Sequence, residues 1–156
     1  MDFETLLGRM TAAARAGDGA GLAALFTADG VYHDGFYGAF EGREAIRLMI
    51  EERFHRDAES FTWEMSEPLR AGDLGYARYR FGYTSRLAGS AGRRVVFEGM
   101  CRFRFQGHEI ARYDEIFDSG MAMAQLGFAP ERLAKLLERQ AAALRARPEM
   151  KPHLGG

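Results

Sequence analysis

The sequence holds a single cysteine, Cys101, so it can form neither an intramolecular disulfide nor a Cys-rich metal site. A lone thiol fits a reducing compartment. No stretch approaches the roughly 20 apolar residues that cross a bilayer. Met1-Asp2-Phe3-Glu4 also lacks the basic start and apolar run of a signal peptide. The expected location is the cytoplasm, with no membrane partner. Charge of one sign is scarce as well, the net charge being -1 over 156 residues. Nucleic acid and anionic lipid favour clustered positive charge, so neither is expected as a partner. Arg78, Arg80, Arg102 and Arg104 alternate, but acidic residues balance them and solvated sheet positions account for them. Phosphate loops and dinucleotide fingerprints are missing, and His55, His108 and His153 are scattered. No cofactor and no metal site is expected.

What is present is ordinary for a globular chain: 47% hydrophobic and 28% charged residues. The length suits one domain, and at this size folding buries roughly 70% of the unfolded surface without a staple. Phe3, Leu6, Leu7, Met10 and Ala14 recur at helical spacing, and Leu22, Leu25 and Phe26 mark a short second helix after Gly17-Asp18-Gly19. Val31 to Asp34 reads as a brief strand running into the loop Gly35 to Gly38. A third helix from Arg43 to about His55 presents Ile46, Met49, Ile50 and Phe54 on one side.

Beyond it the period changes to two. Phe61, Trp63 and Met65 alternate with polar residues, as do Ala77, Tyr79, Phe81 and Tyr83, then Val95, Phe97, Gly99, Cys101, Phe103 and Phe105. A fourth long strand covers roughly Glu109 to Asp118. Tight links at Ala71 to Asp73, Ala88 to Gly92 and Gln106 to His108 predict a meander of antiparallel hairpins with one apolar face. Pro130 opens a last helix carrying Leu133, Leu136, Leu137, Ala141 and Leu144. The expected architecture is α+β: a cone-shaped, curved antiparallel sheet packed on three N-terminal helices, with an additional C-terminal helix. Residues 1–128 form the pocket domain, 129–147 the appended helix, and 148–156 a disordered tail.

This order of elements resembles the nuclear-transport-factor-two-like superfamily. Leu25 to Asp34 (LFTADGVYHD) is similar to its "LYADDAVVHDP" segment, and Gly42-Arg43-Glu44-Ala45-Ile46 to its entry into helix three. Ile110 to Asp118 (IARYDEIFD) resembles its "KIVRYRDYFD" last strand. The similarity spans roughly residues 3 to 128 and is nearest the SnoaL-like branch, which includes polyketide cyclases and lies beside the ketosteroid isomerases. It implies a pocketed cone and often a dimer through the sheet. It does not imply one reaction, since the scaffold hosts isomerases, dehydratases, epoxide hydrolases and non-catalytic domains.

Three residues are candidates for acid–base chemistry. Asp34 ends the short strand at the expected pocket mouth, and the resemblance implies a general base at this position. A carboxyl among apolar walls has its pKa raised, which suits proton transfer near neutrality. Alternatively, Asp34 organises the Gly35 to Gly38 loop through an Asx-type turn. Glu115 is an acid between Tyr113 and Phe117 on the more apolar face of the last strand. It matches a catalytic acid of the epoxide hydrolases, or else is buried against a neighbouring arginine. His33 adjoins Asp34, but consecutive strand residues point to opposite faces, so a structural role competes. Asp118 reads as a helix cap and Cys101 as a small core residue.

Tyr32, Trp63, Tyr79, Tyr83, Phe97, Phe103, Tyr113 and Phe117 would line a pocket for a small apolar or aromatic molecule, with Tyr32 or Tyr113 donating a hydrogen bond. The positions matching the isomerase oxyanion hole hold Met10 and about Gly99, and the strand Tyr76 to Ser85 offers Arg78-Tyr79-Arg80 in place of an Arg-x-Asp. Both of those chemistries therefore lack partners here. The leading expectation is a cofactor-independent lyase, isomerase or cyclase acting on a small or polycyclic carbonyl compound. The rivals are a non-catalytic pocket protein and a dimerising interaction module.

Overall fold

A computed structural model describes residues 1–155. Helix α1 (Phe3–Ala16) starts at Asp2, whose carboxylate accepts from the Thr5 N–H at 2.7 Å, and stops at Gly17 in the left-handed conformation. After α2 (Gly19–Ala23) the chain enters β1 (Phe26–Asp34), turns, and returns as β2 (Gly38–Glu41). Phe26 therefore opens a strand rather than closing a helix. Helix α3 (Arg43–Leu48) widens into a π-helical segment, Met49–Phe54, and ends in the single turn α4 (His55–Asp57). The expected third helix is present, but its wider turns re-aim Phe54 and His55. His55 donates from Nε2 to the Ala14 carbonyl at 2.9 Å, tying this run to α1.

Strands β3 (Ala58–Ala71), β4 (Leu74–Ser85), β5 (Arg94–Gln106) and β6 (Glu109–Phe117) form the antiparallel meander that the hairpin links predict. Sheet order is β2-β1-β6-β5-β4-β3. One seam departs from the antiparallel expectation: β1 lies parallel to β6, with Tyr32 opposite Tyr113. Strands this far apart in sequence need no hairpin, so either direction is open to them.

The sheet curls through bulges. Pairing of β3 with β4 shifts between Glu59 and Thr62 and again between Ser66 and Leu69. Ser60 and Glu67, at φ 55° and 54°, occupy the left-handed region at those two breaks. A third irregularity brings Ile110 opposite Phe105 while Arg112 faces Arg104, leaving Ala111 unpaired. That extra residue turns Ile110 inward with Tyr113, which simple alternation does not predict.

Helix α1 fills one end of the concave face. Phe3 meets Phe103 and Phe105 edge to face at 5.1 and 5.5 Å, over buried Leu6, Leu7 and Met10. The other end is left to aromatic side chains and stays hollow. Helix α5 (Ser119–Gln125) is capped by Asp118, whose Oδ1 accepts from Met121 N–H at 2.8 Å. Helix α6 (Pro130–Arg145) follows with no fully buried residue. Pro148–His153 winds into an exposed 3-10 helix, where the sequence pattern predicts a disordered tail. Pro148 and Pro152 lock φ near helical values there. Among the described residues no helix is long and apolar enough to cross a membrane.

Candidate active site

The hollow end of the cone holds a partly open cavity of about 70 Å³. Its wall is aromatic: Tyr32, Phe36, Tyr37, Phe54, Phe61, Trp63, Tyr79, Phe81, Tyr83 and Phe97 line it, with Ala58 and Leu87. Cross-strand pairing builds this wall in rows, since Trp63, Phe81 and Phe97 are successive partners across β3, β4 and β5. Phe81 and Phe97 are 5.3 Å apart, and Phe97 stacks on Phe117 at 4.3 Å. At the rim Tyr37 donates its hydroxyl to Asp57 at 3.0 Å, linking the β1–β2 turn to α4.

Two acids, Asp34 and Glu115, face this apolar space. The turn after β1 holds both. Asp34 Oδ1 accepts from the N–H groups of Phe36 and Tyr37 at 2.7 and 2.8 Å. Between them in sequence, the Gly35 N–H donates to Glu115 Oε1 at 2.9 Å. Gly35 is required there because a Cβ would lie 2.2 Å from Phe117 Cε1. Glu115 Oε2 accepts from the Tyr113 hydroxyl at 3.0 Å. Asp34 thus performs the Asx-type turn with one oxygen, while Oδ2 makes no hydrogen bond among the described residues.

Burial raises both acids. Desolvation pushes Asp34 up to about 6 against the two backbone donors that favour its charge. Glu115 is pushed up to about 8, first by desolvation and then by the Asp34 charge beside it. The two titrate as a coupled pair. Both acids are thus held above the ordinary carboxylate range, and the pair exchanges protons closer to neutrality than free carboxyls do. Such an arrangement places two proton-exchanging groups side by side on one aromatic wall.

The structure brings together most of the residues singled out from the sequence. Asp34, Glu115, Tyr32, Trp63, Tyr79, Tyr83 and Phe97 share the cavity. His33 does not. It is half-buried on the outer face of the sheet beside Arg112, Asp114 and Arg147, and desolvation lowers its pKa. Phe103 is also misplaced by the sequence reading: it is fully buried beneath α1 and packs on Phe3 and Tyr113. Tyr113 and Phe117 stand behind the lining. Tyr113 orients Glu115, and Phe117 backs Phe97.

The alternative reading of Glu115, burial against a neighbouring arginine, is not met: its partners are Gly35 and Tyr113, while Arg102 and Arg112 both bind Asp114 on the outer face. Cys101 donates to the Ala77 carbonyl at 3.3 Å, and burial pushes its thiol up to about 12, which removes it as a nucleophile. Phe36, Tyr37, Asp57 and Leu87 were not legible as lining. Phe36 and Tyr37 come from a turn, Leu87 from a bend and Asp57 from α4, where strand alternation carries no signal. No group of three or more potential metal ligands occurs among the described residues.

A curved sheet around helices, closed at one end and hollow with paired acids at the other, defines a pocket-forming α+β domain. A family model, the SnoaL-like domain, matches residues 7–113, and the chain belongs to that family. No curated protein matches it.

Solved structures agree on the fold. A protein of ketosteroid isomerase-like fold from Catenulispora acidiphila, in complex with trimethylamine, is 24% identical with a TM-score of 0.70, over 80% of this chain and 93% of that one. An LEH-like epoxide hydrolase from M. tuberculosis is 15% identical at TM-score 0.63, over 78% and 86%. A putative polyketide cyclase from Xanthomonas campestris is 19% identical at TM-score 0.63, over 79% and 95%.

Proposed function

We propose that this protein is a cofactor-independent acid–base catalyst of the lyase, isomerase or cyclase type, acting on a small carbonyl compound. One observation carries the reading: Asp34 and Glu115 line the same aromatic cavity, where burial raises both carboxyls. Asp34 would take a proton from the carbon next to the carbonyl, and the Glu115 carboxyl would give its proton to the carbonyl oxygen. The resulting enol is neutral. Asp34 then gives its proton back to carbon, or to a neighbouring hydroxyl that departs as water, while the enol proton returns to Glu115, so both acids regain their starting state. The cavity volume favours a small substrate over a polycyclic one, since about 150 Å³ is a space that takes benzene. A larger substrate would project past Tyr37 and Phe61 at the rim. Exchange of α-protons for deuterium in a panel of small ketones and aldehydes tests this. Acceleration that disappears in Asp34→Asn supports it, and no acceleration across the panel rejects it.

A second reading, a non-catalytic pocket protein, is favoured by the ten aromatic walls and the absence of lysine or arginine from the lining among the described residues. The trimethylamine in complex with the Catenulispora acidiphila protein supports a compact guest for a pocket of this kind. Binding from the same panel without any exchange would select this reading. Association through the outer sheet face is compatible with either. Val96, Met100 and Ile116 are 54%, 49% and 80% exposed there, and a second copy is the proposed occupant. The buried single thiol suits the cytoplasm as the proposed location.

A further inference from the structure

On the cavity wall the Trp63 indole N–H has no hydrogen-bond partner among the described residues, and the Tyr79 hydroxyl makes no well-formed one, although it stands close enough to the Glu115 carboxyl to favour its charge. Trp63 and Tyr79 are 5% and 1% exposed. Leaving a donor buried without a good partner is costly, so a fold that keeps two in one small cavity has a use for them. A further buried atom without a partner, Thr27 Oγ1, belongs to β1 and lies outside the lining.

The strand register sets where these donors stand. Trp63 pairs with Phe81 and Met65 with Tyr79. Trp63 and Tyr79 are therefore diagonal neighbours on one face, about 7–8 Å apart at the backbone and within reach of large side chains. Tyr79 in turn faces Gly99 on β5. A Cβ at Gly99 would lie 2.8 Å from both Cζ and Oη of the phenol. The missing side chain lets the Tyr79 ring lie across β5 toward β6, where Phe117 and Glu115 pair with Gly99 and Cys101. A purely apolar guest would leave both donors without a good partner, and a cation would meet the positive end of an N–H dipole. An acceptor oxygen satisfies them.

We propose that Tyr79 Oη and Trp63 Nε1 are the ligand's hydrogen-bond donors, and that the pocket is built for a compact carbonyl compound whose oxygen atoms they bind. The phenol holds the oxygen nearest Glu115, and the indole holds acceptor character farther out along β3. The proposal deepens the acid–base reading and rests on it only for what happens to the ligand after binding.

Trp63 is the sole tryptophan, so an isotope-labelled sample gives one indole N–H resonance that reports on this donor directly. The probes are acetone, its oxygen-free analogue isobutene, and tetramethylammonium, each titrated at pH 7. The expected result is a saturable downfield movement of the indole proton with acetone alone, and acetone binding weakened about tenfold in Tyr79→Phe. The proposal is overturned if acetone gives no saturable movement. It is equally overturned if isobutene or tetramethylammonium binds as tightly as acetone while Tyr79→Phe changes nothing. Deuterium exchange into acetone, followed in the same samples, separates the two ideas. Binding without exchange removes the catalytic reading and leaves the donors in place. Exchange that Tyr79→Phe does not alter, with unchanged binding, removes the donors and leaves the catalytic reading.

Discussion

Asp34 and Glu115 carry a cost that depends on pH, and its sign follows from where their protons sit. In the unfolded chain they titrate near the ordinary carboxylate values of 3.8 and 4.5, whereas in the fold both are raised, to about 6 and about 8. Between those limits the folded chain holds more protons, so this pair makes stability fall as pH rises from about 4 to about 8. Glu115→Gln, which keeps the shape and sheds the titration, should stabilise the fold at pH 9 by on the order of 3 kcal/mol and change little at pH 5. Thermal melts at the two pH values measure the difference, and an equal effect at both would refute it. The same pair should give any catalytic rate a bell-shaped profile, with kcat/KM rising through about 6 as Asp34 ionises and falling above about 8 as Glu115 loses its proton. Gly35 sets the spacing of the two. Gly35→Ala forces a methyl into Phe117 and should cost about 1–3 kcal/mol in denaturant titration, with the Glu115 hydrogen bond disturbed at the same time.

At the scale of elements, β3 bends because Ser60 and Glu67 adopt left-handed backbone at its two bulges. Each non-glycine residue there stores about 1–2 kcal/mol. Ser60→Gly or Glu67→Gly should relieve part of that, raising stability by about 0.5–1 kcal/mol without moving the cavity wall. A loss of stability would show that the side chain matters more than the strain. Strand alternation made much of this wall legible in advance. It placed Trp63, Tyr79 and Phe97 inward, and the break at Gly35 marked Asp34 as the end of a strand. Parity says which face a residue takes, however, and not how far along the cone it lies. Phe103 shares the parity of Phe97 yet is covered by Phe3 of α1, a contact that only the packed helix decides. His33 was separable from Asp34 by alternation alone. The pairing of Glu115 with Gly35 was not, because it joins residues 80 apart across a seam without a hairpin signal.

The whole molecule presents an outer sheet face on which apolar Val96, Met100 and Ile116 stand among ion pairs such as Arg102 with Asp114. Helix α6 leaves Leu137 and Leu144 37% and 42% exposed as well. If a second copy covers this face, light scattering should give twice the chain mass, and Ile116→Lys should reduce it to that of one chain. A wild-type protein already at the single-chain mass would end the dimer proposal. Inside the molecule, the parallel seam between β1 and β6 has a consequence of its own. The N-terminal half supplies Asp34 and the meander supplies Glu115, so neither half contains the dyad. Separately expressed halves that find each other would regenerate it, and the elevated Glu115 pKa would appear only on their reassembly. The raised titration of the pair is thus a built-in reporter of whether that joint is closed.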